Sequence, residues 1–250
     1  MATTFGLDAV RQLLTERPKF HMSGEAWWDA TPGTLTAIQR IVKPGDVTFE
    51  IGAGASTVVF AAAGALHTAV SPDPAEHELI RQYCRKIGLD DARLKFIVGR
   101  SDDVVPTHFS PERVLDVAFV DGSHSFPLPV IDWHYAVRAL KIGGKMLLDD
   151  IPIPAVAPIF RHMRLEPAWR LDGIFDHRTA EFTLLAEPPP AGALDWREQP
   201  FNVDYPDYNF EHIPTRIWLN ADYRLRKTRK TAGRRFPALR QFYVNRLKSQ

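Results

Sequence analysis

From about residue 47 to residue 150, short apolar runs alternate with longer segments in which apolar residues recur at helical spacing. The short runs are rich in Val, Ile and Phe and predict strands at Val47–Ile51, His67–Ser71, Leu94–Val98, Asp116–Val120 and Lys145–Asp149. Between them the pattern predicts helices over Ser56–Ala63 and Ala75–Ile87, a short one after Ser101, and one over Pro127–Leu140 that Ile142-Gly143-Gly144 would stop. Regular alternation of this kind is the signature of βα units and a parallel sheet. Upstream, Asp29-Ala30-Thr31-Pro32 reads as a helix start with proline in the first turn, leading into Gly33–Val42 and ending at Lys43-Pro44-Gly45. Downstream, a helix near Val156–Arg164 and the runs Trp169–Phe175 and Ala180–Ala186 predict one more crossover and then an antiparallel pair, with Asp176-His177-Arg178 at its tip. The expected fold is a doubly wound, mostly parallel seven-stranded α/β sheet with a terminal antiparallel pair.

Composition adds boundaries and a charge asymmetry. Apolar content of 45% with 24% charge is that of a globular chain, which excludes wholesale disorder, and no apolar run approaches the roughly 18 residues of a membrane span. The N-terminus lacks a basic start followed by an apolar block, so no secretory signal is expected. A lone cysteine, Cys84, makes neither an internal disulfide nor a thiolate zinc site; it reads as a packing residue and fits a cytoplasmic protein. Pro188-Pro189-Pro190-Ala191-Gly192 reads as a linker. The expected division is an N-terminal helical, substrate-covering segment (1–30), a cofactor-binding domain (31–187), and a linker with a basic, aromatic extension (188–250). Residues 221–250 hold ten Lys or Arg and one acid, which leaves the first 220 residues with a net charge of −8.

The stretch Phe49-Glu50-Ile51-Gly52-Ala53-Gly54-Ala55-Ser56-Thr57 ends the first strand and opens a helix. Its glycines allow close backbone approach to a ligand, and the helix N-terminus favours an anion. A dinucleotide fingerprint would place a third glycine where Thr57 stands and an acid where Ser71 stands; both are missing, which disfavours an NAD(P)-dependent oxidoreductase. An acid instead precedes the first glycine, at Glu50, and hydroxyls follow at Ser56 and Thr57.

That loop resembles motif I of the class I S-adenosylmethionine-dependent methyltransferases, whose fold is Rossmann-like. Over about residues 31–187 the likeness is to the small-molecule O-methyltransferases of the catechol O-methyltransferase type and their bacterial relatives. The resemblance implies that Glu50, Gly52, Ala53, Gly54, Ser56 and Thr57 hold the methionine half of S-adenosylmethionine. The family's ribose-gripping acid falls at Ser71, a departure for which Asp73 is the substitute, unless Asp73 only caps the helix that follows. Phe96–Pro106 resembles the stretch that borders the adenine, which puts Ser101 and Asp102 there. Asp121-Gly122-Ser123-His124 falls where this branch has a metal-binding and cofactor-flanking aspartate and, three residues later, the base that deprotonates the acceptor hydroxyl. The family base is usually a lysine, so His124 is a second departure. Leu147-Leu148-Asp149-Asp150 falls where two further metal ligands stand, and Asp121, Asp149 and Asp150 together suit Mg²⁺. Against this, Asp149 and Asp150 read equally as turn and cap residues, and Asp121 as a partner of glycine-loop amides.

The resemblance thus implies O-methylation of a small molecule or glycan hydroxyl. The alternative is a binding protein on a methyltransferase scaffold acting through its basic extension. Cations interleaved with aromatics there suit an anionic partner or a contact between copies of the chain, but match no nucleic-acid motif. Trp27 and Trp28 precede the first domain helix as substrate-covering or packing residues. Ile131, Trp133 and Tyr135 cannot all face inward from one helix.

Overall fold

The computed structural model describes residues 5–21, 30–108, 112–188 and 199–204, with single positions 221, 224, 225 and 228. The chain divides into two compact units, Met1–Pro188 and Pro189–Gln250. In the first, α1 (Phe5–Glu16) and α2 (Pro32–Ile41) precede an alternating series: β1 (Val47–Ile51), α3 (Ala55–Ala62), β2 (Leu66–Ser71), α4 (Pro74–Lys86), β3 (Leu94–Val98), α5 (Ser101–His108), β4 (Leu115–Val120), α6 (Leu128–Ala139) and β5 (Leu140–Leu148). It closes with α7 (Ala157–Leu165), β6 (Trp169–Phe175) and β7 (Thr179–Leu184); the second unit contains the short α8 (Pro200–Asp204). Trp27, Trp28 and nearly all of the basic extension lie outside the described residues. No described helix is long and apolar enough to cross a membrane.

The seven strands form one sheet in the order β3-β2-β1-β4-β5-β7-β6. β1 to β5 pair in parallel, and β7 is antiparallel to both β5 and β6. The expected Rossmann-like sheet with its terminal antiparallel pair is therefore the observed one. Strand residues alternate between two apolar layers. Val117, Phe119 and Leu147 pack with α1 to α4 on one face. Phe49, Ile51, Ala118, Val120, Met146 and Leu148 pack with α6 and α7 on the other. Burial on both faces is why these strands read as unbroken apolar runs.

Local signals set the helix starts. Thr31 caps α2 by accepting from Thr34 N, with Pro32 at the first helical position, and Asp73 caps α4 by accepting from Ala75 N at 2.8 Å ahead of Pro74. α1 packs against α2 and α3 and contributes Val10 and Leu13 to the core, so the N-terminal helix is part of the domain's packing. Cys84 is buried in that layer, where desolvation pushes its thiol up to about 11.

One boundary differs from expectation. α6 ends at Ala139, and residues 140–144, expected to close a helix, instead begin β5. Leu140 pairs with Leu115, the register then shifts, and Lys145 pairs with Val117. Gly143 takes φ +84 inside this irregularity, so the glycines mark a bulged strand entry. On α6, Trp133 and Tyr135 are half-buried against the second layer, and Trp133 meets the His162 ring edge-on at 5.1 Å.

Candidate functional site

The ends of parallel strands line one edge of the sheet, where helix N-termini and loops converge. β1 leaves the sheet at Gly52, whose φ of +104 favours glycine and whose N–H donates to Val70 O at 2.9 Å. A Cβ at Gly52 would collide with the Asp121 carbonyl, and Asp121 N donates to Ile51 O at 2.9 Å. The glycine loop and the Asp121 turn therefore touch backbone to backbone.

Behind the loop lies a closed polar network. Glu50 is 1% exposed and accepts hydrogen bonds from Ser56 Oγ and from Thr57 Oγ1 at 2.6 Å. The same Glu50 oxygen that Thr57 reaches lies 3.3 Å from His67 Nε2, and His67 Nδ1 is 2.8 Å from Thr48 Oγ1. Thr57 Oγ1 also accepts from Gly54 N at 3.0 Å. The side chains of Glu50, Ser56 and Thr57, expected to meet a cofactor, are turned towards one another and set the shape of the loop.

At the end of β2, Ser71 Oγ is 2.8 Å from His77 Nε2 and 3.5 Å from Glu76 Oε2. Glu76 Oε1 meets His21 Nδ1 at 2.9 Å, and a Cβ at Gly54 would lie 3.5 Å from His21 Nε2. The carboxylate beside Ser71, linked through His21 to the glycine loop, is thus Glu76, which the sequence reading missed. Its signal was available: an acid in the first turn of the helix after β2. Asp102, expected near the adenine, pairs with Arg100 at 2.8 Å, which holds its carboxyl below the usual range. Ser101 opens α5 and neighbours Asp132. Asp132 is fully buried on α6, neither oxygen has a well-formed hydrogen bond among the described residues, and burial, against the pull of nearby Ser101, pushes its carboxyl up to about 6. A Cβ at Gly122 would lie 3.2 Å from its Oδ2, which places Asp132 directly against the Asp121–His124 turn.

The other half of the edge is formed by β4, β5 and the β6–β7 hairpin. His124 Nε2 lies 3.3 Å from Asp150 Oδ2 and 3.9 Å from Asp121 Oδ1. Among the described residues these three are the one group of metal-capable side chains with ligand atoms within 4.8 Å of one another. Asp121 carries a carboxyl pushed well above its usual value, first by burial and then by the Asp149 and Glu50 carboxylates. Asp149 is buried and has other partners: Thr179 Oγ1 donates to its Oδ1, and Arg178 Nη2 lies 3.0 Å from its Oδ2. Arg178 also reaches Asp150, with Nε 2.7 Å from Oδ1 and Nη2 3.3 Å from Oδ2. Burial works against its charge, but Asp149, Asp150 and Asp121 outweigh that and raise its pKa. The hairpin tip was legible in the sequence; the reach of Arg178 to both aspartates was not. His124, Asp132 and Asp149 border one recess with Val120, Gly122 and Leu148.

Residues 49–151, from the glycine loop through Asp150, match the family model of a methyltransferase domain. Over that stretch the chain is similar to methyltransferase domains. This bears out the superfamily that the motifs resembled. Solved structures agree in fold. The O-methyltransferase from Bacillus cereus, in complex with SAH, is 13% identical, with a TM-score of 0.52 over 74% of this chain and 92% of that one. TomG from Streptomyces achromogenes, an O-methyltransferase involved in tomaymycin synthesis and solved with SAM, gives 13% and 0.53 over 74% and 92%. SAH-bound methyltransferase PaMTH1 from Podospora anserina gives 17% and 0.51 over 74% and 89%. At these identities the likeness is one of fold. No curated protein matches the sequence.

Proposed function

We propose that the methyltransferase domain moves a methyl group from S-adenosylmethionine to a hydroxyl of a small molecule or glycan. The observation that carries this reading is His124 Nε2, held 3.3 Å from Asp150 and 3.9 Å from Asp121 at the strand edge that also bears the glycine loop. The Gly52-Ala53-Gly54 backbone, shaped from behind by Glu50, Ser56 and Thr57, would cradle the methionine half. Glu76 and Ser71 would meet the ribose hydroxyls, with His21 swinging off Glu76, and Ser101 and Asp102 would border the adenine. S-adenosylmethionine would supply an electrophilic methyl on a sulfonium.

Methyl transfer is an in-line displacement, so much of the rate comes from holding the acceptor oxygen on the axis of the S–CH₃ bond. The acceptor oxygen forms the new O–CH₃ bond as the S–CH₃ bond breaks and its electron pair stays on sulfur. The hydroxyl proton passes to His124 Nε2. Asp150 flanks the imidazole at 3.3 Å and would stabilise the imidazolium, and Asp121 closes the cofactor side of the turn.

For Mg²⁺ the residues are a poor fit. Asp149 is bound by Thr179 and Arg178, and both oxygens of Asp150 face Arg178. The remaining group, Asp121 and His124 with a shared Asp150, brings in an imidazole where Mg²⁺ prefers oxygen.

Calorimetric titration with S-adenosylhomocysteine tests the cofactor assignment: saturable binding is expected, and no heat at millimolar ligand sinks it. Transfer of labelled methyl to a panel of catechols, simple phenols and glycosides then tests the acceptor class. Label appearing only on amine or thiol acceptors would overturn the hydroxyl assignment.

A further inference from the structure

We propose that Arg178 is the resident cation of this site, its guanidinium seated between Asp149 and Asp150, two of the three carboxylates expected to hold a divalent ion, so that methyl transfer at His124 needs no metal. The proposal rests on the methyl-transfer reading, but its geometry stands on distances to three carboxylate oxygens: 3.0 Å to Asp149 Oδ2, 2.7 Å to Asp150 Oδ1 and 3.3 Å to Asp150 Oδ2. Of these, Nη2 to Asp150 Oδ2 is a hydrogen bond and the other two are ion pairs at contact distance, so one guanidinium serves two adjacent carboxylates chiefly through its fixed charge. The strand-end pair Asp149-Asp150 is thereby neutralised in part by the chain itself.

The backbone holds this arrangement from both sides. Asp176 and His177, with φ of +49 and +56, turn the hairpin so that Arg178 N donates to Phe175 O at 2.9 Å. Asp150 has φ +52, which breaks β5 away from the sheet and aims its carboxylate at the hairpin. Ile151 N then donates to Arg178 O at 3.0 Å, tying the turn after β5 to the hairpin tip. The next residue, Thr179, bonds Asp149 and lies 2.5 Å from Thr34 Oγ1, which anchors the tip to α2. An arginine positioned by this many contacts is built into the fold. A divalent ion joining Asp150 would face a fixed positive charge a few ångströms away in a half-buried setting, where like charges repel strongly. His124 Nε2 meets the face of Asp150 that is also nearest Arg178 Nη2, so the guanidinium acts on the base through that carboxylate: Arg178 is a positioning residue.

Mn²⁺ binding to the full chain, followed by electron paramagnetic resonance, tests this without an acceptor, and failure of the methyl-transfer reading is read separately by titration with S-adenosylhomocysteine. The wild type is expected to bind no Mn²⁺ up to about 1 mM, whereas Arg178→Gln should expose the aspartates and bind one ion at least about tenfold more tightly. Arg178→Lys, which restores the charge, should again bind none. Melting temperature gives a second readout: the wild type should be indifferent to EDTA and Mg²⁺, and Arg178→Gln should melt lower and be rescued by Mg²⁺. Stoichiometric Mn²⁺ binding by the wild type below 1 mM would overturn the proposal, and that measurement decides even if Arg178→Gln fails to fold. An Arg178→Gln variant that folds and binds no more tightly than the wild type would overturn it too.

Discussion

The ends of β1 and β4 stand side by side, yet their carboxylates are treated in opposite ways. Glu50, on β1, is buried among hydroxyls and an imidazole that satisfy it. Asp121, one residue past β4, is pressed by burial and by neighbouring carboxylates, and Asp132, against the same turn, is fully buried with its carboxyl pushed up by desolvation. A satisfied buried network rigidifies what it touches, whereas an under-compensated one keeps groups ready to change protonation. The contrast supports the proposed division, shape at the β1 end and chemistry at the β4–β5 end, across a sheet edge where Gly52 and the Asp121 carbonyl lie close together.

The contrast breaks first at His124. His124→Ala is expected to lower methyl transfer by about 10²–10⁴-fold, the usual range for a general base, while affinity for S-adenosylhomocysteine stays unchanged. Equal losses in both would place His124 in cofactor binding. Glu50→Ala should behave in the reverse sense. It leaves the buried Ser56 and Thr57 hydroxyls and His67 without their shared acceptor, at a cost of about 3 kcal/mol, or roughly 6–12 °C in melting temperature for a domain of this size. A folded Glu50→Ala variant with wild-type melting would show that the network shapes nothing.

How far each half was legible follows from the same contrast. Strand positions and order of elements were readable because strands buried on both faces must be continuous apolar runs, as in Val117–Val120. The glycine loop was readable because its backbone needs Gly52. The entry to β5 was not, because Gly143-Gly144 is a helix stop by local rules and a bulged strand only once β4 lies beside it. Arg178 escaped for a related reason: it acts across 28 or 29 positions on Asp150 and Asp149, and no local spacing encodes that meeting. Glu76, five positions from Ser71, did leave a local signal as the acid in the first turn of α4.

Asp132 sharpens the comparison through pH. Its folded carboxyl sits at about 6, above the ordinary value near 3.8, so the folded state holds this proton more tightly than the unfolded one. The sign follows from linkage: stability attached to this group is fully present below about pH 4 and is lost as pH rises to 6, by at most about 3 kcal/mol. Asp132→Asn should therefore flatten the fall in melting temperature between pH 4 and pH 7 relative to the wild type. An identical pH profile in the two proteins would mean that Asp132 finds a partner in solution.

The smallest expected effect separates two acids only three residues apart. Asp73 is the N-cap of α4, accepting from Ala75 N at 2.8 Å, and Glu76 is the carboxylate beside Ser71 and His21. Removing a cap costs about 1 kcal/mol of stability, so Asp73→Ala should lower the melting temperature by about 2–4 °C and leave cofactor affinity within twofold. Glu76→Gln should do the opposite: melting nearly unchanged, and affinity for S-adenosylhomocysteine down by about tenfold, as expected for losing a charge-assisted bond to a ribose hydroxyl. The ratio of the two effects matters more than either alone. If Asp73→Ala is the variant that weakens binding, the ribose lies on the outer side of the α4 start, His21 stays on Glu76 in the bound state, and the division between shape and chemistry does not extend to β2.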